Sequence, residues 1–287
     1  MTTKLTADRG RLQNREGLSL YYECDPVDRP RATLIFTHGF AEHCGRYAAM
    51  AKMLNGEGYS CYRFDLRGHG RSEGRRGHIY RFADFVNDFR DFSNAVFATA
   101  PADVPRIAVT HSNGGLIALT ALSQDATGFA GLVCSSPFVG FKLKLPLWKA
   151  AAGRIFSRFV PALAMPTDLP PESVSSDPAT IEQYANDPLI VRVATARWLI
   201  ETYAAMDALP ALLPRLKLPV LFQVAGDDQI ADAQASRAMF ERVGSSDRTW
   251  QEYAGLRHEI WFEREREREK VYAALREWLS AHTEQPA

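Results

Sequence analysis

The sequence predicts an α/β fold with a mostly parallel sheet flanked by helices, and two observations carry this prediction. Continuous apolar runs of strand length recur along the chain, and segments with helical periodicity separate them. Continuous apolar strands alternating with helices are typical of a parallel sheet covered on both faces. The strand-like runs are 32–37, 59–64, 107–110, 132–134 and 220–224, with 249–253 as the last candidate.

The remaining elements follow from periodicity. Residues 18–24 alternate apolar and polar side chains, which predicts an antiparallel edge strand. Two stripes at three- and four-residue spacing predict helices packed on the core. Their members are Phe82, Phe85, Val86, Phe89, Phe92 and Val96, and near the C-terminus Val271, Leu275, Trp278 and Leu279. The charge run at 263–270 predicts a solvated helix face, since favourable and unfavourable pairs there roughly cancel.

The composition is that of an ordinary globular protein. The chain has 287 residues, of which 46% are hydrophobic and 24% charged, and its formal net charge is zero. This length suffices for one large domain with an inserted subdomain. The neutral balance gives no support for nucleic-acid binding. The four cysteines are scattered, which indicates neither a disulfide framework nor a zinc site.

The sequence predicts neither a signal peptide nor a membrane-spanning segment. Its first residues contain no apolar stretch, which predicts the absence of a signal peptide. No run approaches the ~18 apolar residues of a membrane span. We therefore expect a cytoplasmic protein.

Residues 138–207 interrupt the alternation of strands and helices. They are rich in proline, predicted helical and without a strand, and they fall between the strands ending near Ser135 and beginning near Val220. We expect a helical lid at 138–207, inserted between the core segments 1–137 and 208–287. The lid combines apolar residues with Lys142, Lys144, Lys149, Arg154 and Arg158. This pattern suits an acyl tunnel with peripheral contact to anionic lipid, or a helix pair with a solvated basic face.

Ser112 is the candidate nucleophile. The segment 106–110 predicts a strand, and Gly114 and Gly115 open an apolar helical run. A serine between them lies at a sharp strand-to-helix turn, which exposes its hydroxyl above the sheet and near a helix N-terminus. The usual motif is Gly-x-Ser-x-Gly, whose first glycine is here Thr110. By itself the segment also fits a plain helix start.

A serine nucleophile needs a histidine base and an acid that orients it. In chain order, only His258 both follows the serine and sits in a loop between the last strand and the last helix. We expect the side chain of His111 to point elsewhere. For the acid, Asp227, Asp228 and Asp232 all follow the strand at 220–224, and Asp232 also fits a helix cap.

A tetrahedral intermediate further requires two N–H donors. One is expected from Asn113, the residue after the nucleophile, and the other from Phe40 in the loop after an earlier strand. Gly39 allows close approach of the backbone there. The alternative for His38-Gly39 is a plain strand-ending turn.

These stretches together resemble the monoacylglycerol lipase and lysophospholipase branch of the α/β-hydrolases. The matching segments are 38–47, 64–78, 111–115, 228–232 and 257–260, and the second is the most specific. The resemblance implies the α/β-hydrolase fold, Ser112 as nucleophile, Asp228 as orienting acid and His258 as base. It also implies the N–H groups of Phe40 and Asn113 as oxyanion donors. Two residues depart from the family pattern: Thr110 replaces a glycine and Asn113 a methionine.

The resemblance implies a serine hydrolase that cleaves carboxylic esters of monoacyl lipids through an acyl-enzyme, with no metal or organic cofactor. The substrate partner would be a lysophospholipid, a monoacylglycerol or another lipid ester, and fold alone does not decide among them. Alternatives are a carboxylesterase or a proline-iminopeptidase-like hydrolase on small substrates. A non-catalytic binding protein of the same fold is a third.

Overall fold

The computed structural model describes residues 4–142, 153, 155–167 and 169–283. Its centre is an eight-stranded sheet in the order β1-β2-β4-β3-β5-β6-β9-β10. Strands β1, β2 and β4 pair antiparallel, and all pairs from β4 to β10 are parallel. The strands are β1 Arg9–Gln13, β2 Ser19–Asp25, β3 Ala32–Thr37, β4 Tyr59–Phe64, β5 Arg106–His111, β6 Gly131–Ser135, β9 Val220–Ala225 and β10 Arg248–Tyr253.

Helices cover both faces of this sheet, as the continuous apolar strands predict. Within β3, Ile35 joins the apolar cluster under α2, α3 and α5, whereas Leu34 and Phe36 join the cluster under α1 and α7. Side chains of adjacent residues in one strand therefore pack into the apolar clusters on opposite faces of the sheet. The helices are α1 Ala48–Gly56, α2 Phe82–Thr99, α3 Asn113–Gln124, α4 Pro178–Asn186, α5 Ala196–Leu212, α6 Ala233–Arg242 and α7 Glu265–Thr283.

Two sequence expectations about strands are wrong, and one strand of the central sheet was missed. The predicted strand at 18–24 corresponds to the antiparallel strand β2, but β2 has a neighbour on each side, because the missed strand β1 lies at that edge of the sheet. The segment 138–207 is not free of strands, because β7 (Ala164–Pro166) pairs antiparallel with β8 (Val193–Thr195). These two strands are only three residues long, and every residue of β7 is exposed. Hydrophobic patterning carries no signal for such a pair.

The charge run at 263–270 is also misread at its first residue. Glu263 precedes α7 and is fully buried. Its carboxylate accepts hydrogen bonds from the backbone N–H groups of Ser176 (3.0 Å) and Arg257 (2.8 Å). Only the residues from Glu265 onward belong to the helix whose face was predicted to be solvated. Through these two hydrogen bonds, the buried carboxylate links the segment before α4 to the loop that follows β10.

The predicted lid lies in the connection between β6 and β9. Residues 155–159 are helical, and α4 follows later in the same connection. Helix α5 crosses the predicted boundary at residue 207, so the core resumes within a continuous helix. The predicted lid residues Lys144, Lys149 and Arg154 lie outside the described residues. Within the part of the chain that the structure describes, no helix is both long and apolar enough to cross a membrane.

Candidate active site

Ser112 occupies the sharp turn between β5 and α3. Its backbone has φ 51° and ψ −118°, a conformation that residues with a side chain rarely adopt. Flanking hydrogen bonds hold the strained residue, from the Ser112 N–H to the Ser135 carbonyl (3.0 Å) and from the Phe138 N–H to the Ser112 carbonyl (2.9 Å). Strain of this kind persists only where the surrounding structure enforces it. The turn therefore has the geometry of a nucleophile elbow.

The departure at Thr110 is accommodated in the structure. Thr110 is fully buried, and its hydroxyl donates to the Val133 carbonyl of the neighbouring strand at 2.8 Å. A Cβ placed on Gly115 would lie 3.8 Å from that hydroxyl oxygen and 2.8 Å from the Pro137 Cβ. Glycine at 115 is therefore required by Pro137 and not by Thr110, which lies at an ordinary contact distance, so threonine in place of the first glycine of the motif leaves the turn intact.

His258 connects Ser112 to Asp228. Its Nε2 lies 2.8 Å from the Ser112 hydroxyl oxygen, and its Nδ1 lies 2.7 Å from Asp228 Oδ2. Because a carboxylate only accepts, Nδ1 carries the proton in the neutral ring and Nε2 accepts from the serine. All three side chains are buried, with Ser112 6% exposed. The residues that the sequence assigned to one site are therefore hydrogen-bonded in series.

The structure distinguishes the three candidate acids. The Asp228 carboxylate is held by the N–H groups of Ile230 and Ala231, both at 2.8 Å, which fixes the other oxygen towards His258. Asp227 is exposed. Asp232 caps α6 by accepting from the backbone N–H of Gln234 at 2.9 Å. Only Asp228 contacts the histidine among these three.

Local charges tune the two histidines of the site in opposite directions. Burial alone lowers the pKa of His258, but the Asp228 carboxylate and its hydrogen bond outweigh this and raise the pKa above its ordinary value. Burial and the neighbouring His258 hold the pKa of His111 well below its usual range. Proton binding in the site is therefore directed to His258.

The expectation that His111 points away from the site is wrong. Its ring packs 4.8 Å from the His258 ring, and its Nδ1 lies 3.2 Å from the Ser135 hydroxyl. His111 also lines the cavity above Ser112. The strained turn at residue 112 redirects the chain, so that His111 lies beside the ring of His258.

The two residues predicted to supply N–H donors lie near Ser112, Asn113 as the next residue of the chain and Phe40 in a loop that packs on the serine. A Cβ placed on Gly39 would lie 2.9 Å from the Ser112 Cβ, so the loop bearing Phe40 packs directly on the serine. The Phe40 ring stacks on Trp198 with centroids 3.9 Å apart. Asn113 is the first residue of α3, where N–H groups lack an intrahelical acceptor. The Asn113 side chain is buried, and neither its amide nitrogen nor its oxygen has a partner.

Sequence reasoning missed a buried charge network beside the triad. Arg46 donates to both oxygens of Glu259, at 2.6 Å each, and to Glu42 at 3.2 Å. Glu42 also accepts from the Gly39 N–H (2.6 Å) and the Tyr47 hydroxyl (2.8 Å). Burial raises the pKa of Glu42 to about 7, against the opposing effect of Arg46. The only signal in the sequence is the i,i+4 spacing of Glu42 and Arg46.

A cavity of about 630 Å³ opens above Ser112 and His258. Most of its described lining is apolar, and Glu42 and Glu259 belong to its polar lining. No lysine or arginine is among the described lining residues. The described residues also contain no group of three or more side chains able to hold a metal ion. The apolar lining includes Phe138, Phe141, Phe156, Leu163, Val174 and Leu199.

Comparison with known proteins identifies the family. Residues 28–265 match the Hydrolase_4 family, described as serine aminopeptidase, S33. The chain is 31% identical over 254 residues to phospholipase YtpA of Bacillus subtilis, covering 87% of this chain and 95% of that protein. It is 30% identical over 271 residues to a monoacylglycerol lipase of Mycolicibacterium smegmatis, covering 93% and 94%.

The fold agrees with these relatives. The crystal structure of Paleococcus ferrophilus monoacylglycerol lipase superposes with a TM-score of 0.82 at 29% identity, covering 92% of this chain and 99% of that one. The α/β-hydrolase fold predicted from the sequence is thereby confirmed. The chain belongs to the Hydrolase_4 family, in its monoacylglycerol lipase and phospholipase branch, and is a serine ester hydrolase.

Proposed function

We propose that the protein hydrolyses carboxylic esters of monoacyl lipids, with Ser112 as nucleophile, His258 as base and Asp228 as orienting acid. The observation that carries this proposal is the hydrogen-bonded series Ser112–His258–Asp228 at the floor of a large apolar cavity. An ester carbonyl on Ser112 would place its acyl chain in that cavity. The N–H groups of Phe40 and Asn113 would receive the oxyanion.

The reaction proceeds by acyl transfer in two halves. His258 Nε2 takes the Ser112 proton as Oγ bonds to the carbonyl carbon, and the imidazolium then returns that proton to the departing alkoxide. Water then enters in place of the alcohol and gives a proton to His258 as its oxygen bonds to the acyl carbon. The imidazolium returns that proton to Ser112 Oγ as the fatty acid is released. Asp228 holds the ring in the productive tautomer throughout. Its hydrogen bonds from Ile230 and Ala231 keep that carboxylate in place.

The polar lining of the cavity favours a neutral leaving group. Glu42 and Glu259 belong to it, and Arg46, the one cation among the described residues that contacts them, already donates to both carboxylates. A phosphate beside two carboxylates, with no described cation free to pair with it, loses its hydration without compensation. The hydroxyls of glycerol carry no such penalty. Monoacylglycerol is therefore the favoured substrate over a lysophospholipid.

The lid supports contact with a lipid surface. Its exposed large apolar side chains form a patch beside the cavity, where Phe156, Leu163 and Met165 also line the interior. Large exposed apolar patches mark interaction sites, and basic neighbours such as Lys142 and Arg158 attract anionic headgroups. The exposed members are Ile155 (60%), Phe156 (46%), Phe159 (76%), Val160 (48%), Leu163 (40%) and Met165 (56%).

The family description names an aminopeptidase, whose substrate presents an ammonium group. Such a group requires a carboxylate free to receive it, whereas Glu42 and Glu259 are occupied by Arg46, Tyr47 and the Gly39 N–H. The apolar cavity also offers little to a short peptide. The arrangement therefore favours an ester of a long acyl chain over a peptide.

One comparison tests this proposal. Release of the acyl product is measured side by side from a long-chain monoacylglycerol, its lysophosphatidylcholine counterpart, a short-chain ester and a proline aminoacyl amide. The highest kcat/KM is expected on the monoacylglycerol. Preference for the lysophospholipid would remove the leaving-group argument, and activity on the short ester alone would remove the long-chain assignment. A second measurement uses Ile155→Ser/Phe159→Ser, which should bind anionic vesicles less tightly than the wild-type protein; unchanged binding would contradict lid contact.

A further inference from the structure

His38 is a buried histidine that takes no part in the mechanism above, yet it bridges two backbone segments at the active site. It follows β3 and is 1% exposed. Its Nδ1 lies 2.7 Å from the Gly39 carbonyl, and its Nε2 lies 2.9 Å from the Leu66 backbone nitrogen. The ring thus spans the gap between the loop after β3 and the loop after β4.

The two partners fix the protonation of this ring. The Leu66 N–H can only donate, so Nε2 is the acceptor and carries no proton. Nδ1 is then protonated and donates to the Gly39 carbonyl. Burial and the neighbouring His69 hold the pKa of His38 well below its ordinary value, which keeps the ring in this neutral form. His38 is therefore a constant donor to one peptide group.

That peptide group contains the proposed oxyanion donor. The Gly39 carbonyl and the Phe40 N–H belong to one planar trans peptide, in which they point in opposite directions. We infer that His38 is a positioning residue, whose bond to the Gly39 carbonyl fixes the direction of the Phe40 N–H and polarises it towards the oxyanion. This inference rests on the proposed role of Phe40. Cooperative polarisation along such a chain strengthens the outer hydrogen bond.

The preceding peptide is pinned from its other side. Gly39 donates its own N–H to Glu42 at 2.6 Å, and its missing side chain allows contact with Ser112. Both peptides that meet at Gly39 thus have a fixed partner. Glycine is intrinsically the most mobile residue. His38 and Glu42 together remove that freedom at the position where pre-organisation matters most.

Two near-isosteric substitutions separate the two hydrogen bonds. In His38→Asn, the side-chain amide nitrogen falls near the position of Nδ1 and retains the donor to Gly39. In His38→Gln, the longer side chain brings the amide oxygen near Nε2 and retains the acceptor for Leu66. Each variant loses the other hydrogen bond. If His38 only stabilised the fold, both variants would therefore lose activity. The reporter is p-nitrophenyl butyrate, whose turnover needs the triad and the oxyanion donors but not a monoacyl lipid.

We expect kcat to fall in His38→Gln and to be largely retained in His38→Asn. For His38→Gln we expect kcat to fall roughly ten- to a hundredfold with KM within about twofold, since a displaced donor acts on the transition state. For His38→Asn we expect kcat within about threefold of wild type. The inhibition constant of a trifluoromethyl ketone, which forms an oxyanion on Ser112, should rise in His38→Gln by the same factor as kcat/KM falls.

Equal losses in both variants, unchanged kcat in His38→Gln, or an effect confined to KM would overturn the inference. If either variant fails to fold, the wild-type protein labelled with ¹⁵N-histidine carries the test. The Nδ1-bound proton of His38 should shift in the NMR spectrum when the ketone adds to Ser112, and a resonance that does not move would overturn it. Failure of the proposed function is seen separately, as wild-type turnover that does not depend on Ser112.

Discussion

Arg46 and Glu259 form a buried two-point ion pair, with both guanidinium–carboxylate contacts at 2.6 Å, directly beside the histidine of the site. The partners are 213 residues apart in sequence. Glu42 completes the network from the loop after β3. Since Glu259 follows His258 and Glu42 accepts from the Gly39 N–H, Arg46 connects the loop of His258 with the loop that bears Phe40.

Removing this arginine is expected to destabilise the protein strongly. Arg46→Met leaves two buried carboxylates facing each other, and loss of one partner from a buried pair costs about 3–5 kcal/mol. The free energy of unfolding from urea titration at pH 8, where most of the Glu42 carboxyl is ionised, measures this cost. Arg237→Met is the control, because its pair with Glu241 is about half exposed and should change stability by less than ~1 kcal/mol. Similar values for the two variants would contradict a buried network.

The acid assignment predicts a contrast between neighbouring aspartates. Asp228→Asn should lower kcat by roughly 10³–10⁴-fold, because an amide at that position favours the wrong tautomer of His258. Asp227→Asn, at the exposed neighbour, should leave kcat within about twofold. Steady-state kinetics on one ester measure both. Comparable losses at the two positions, or a loss confined to Asp227→Asn, would exclude Asp228 as the orienting acid.

The pH dependence follows from the pKa of His258. Only the neutral ring accepts the serine proton, so kcat/KM should rise with pH through the pKa of His258, above the ordinary 6.5. The contribution of His258 to the free energy of unfolding changes with pH in the opposite direction to kcat/KM. It is fully present below 6.5 and is lost as the pH rises through the folded-state pKa. In Asp228→Asn the acid limb of the residual activity should move to lower pH, and an unmoved limb would show that the carboxylate does not raise the pKa.

Asn113 predicts a stabilising substitution inside the active site. Its buried amide has no partner, so Asn113→Leu should raise the free energy of unfolding by about 1 kcal/mol or more, while the backbone N–H and therefore kcat are retained. The same change at Asn14 is the control. That buried amide donates to Asp88 at 2.6 Å and accepts from Glu16 and Leu18, so Asn14→Leu should destabilise. A destabilised Asn113→Leu protein would mean that the amide has a partner in solution.

The sequence predicted the parts of the fold that depend on local patterning. Strands β3 and β4 begin and end at the predicted residues, because their runs are continuous and buried along their whole length. Strand β1 was missed because only Leu12 of its five residues is buried. The pair β7–β8 was missed for the same physical reason.

Chain order and motif led to Ser112 and His258 as one candidate site, and the structure places these two side chains in hydrogen-bond contact. The tertiary features of the site were not predicted. In the sequence Glu259 is an ordinary polar residue, and its role becomes visible only when the fold brings Arg46 to it from another loop. Glu263 belongs to a charged run in the sequence, and only the fold shows that it is buried and accepts a hydrogen bond from Ser176. The sharp turn at Ser112 was predicted, but the direction in which its strained backbone sends the His111 side chain was not.

The most direct test of the account is hydrolysis of a long-chain monoacylglycerol by the wild-type protein and by Ser112→Ala, with product release followed over many turnovers. We expect steady turnover by the wild type and a fall in kcat of roughly a thousandfold or more in the variant. An unchanged melting temperature would show that the variant retains its fold. Near-unchanged turnover in Ser112→Ala would contradict the assignment of Ser112 as nucleophile.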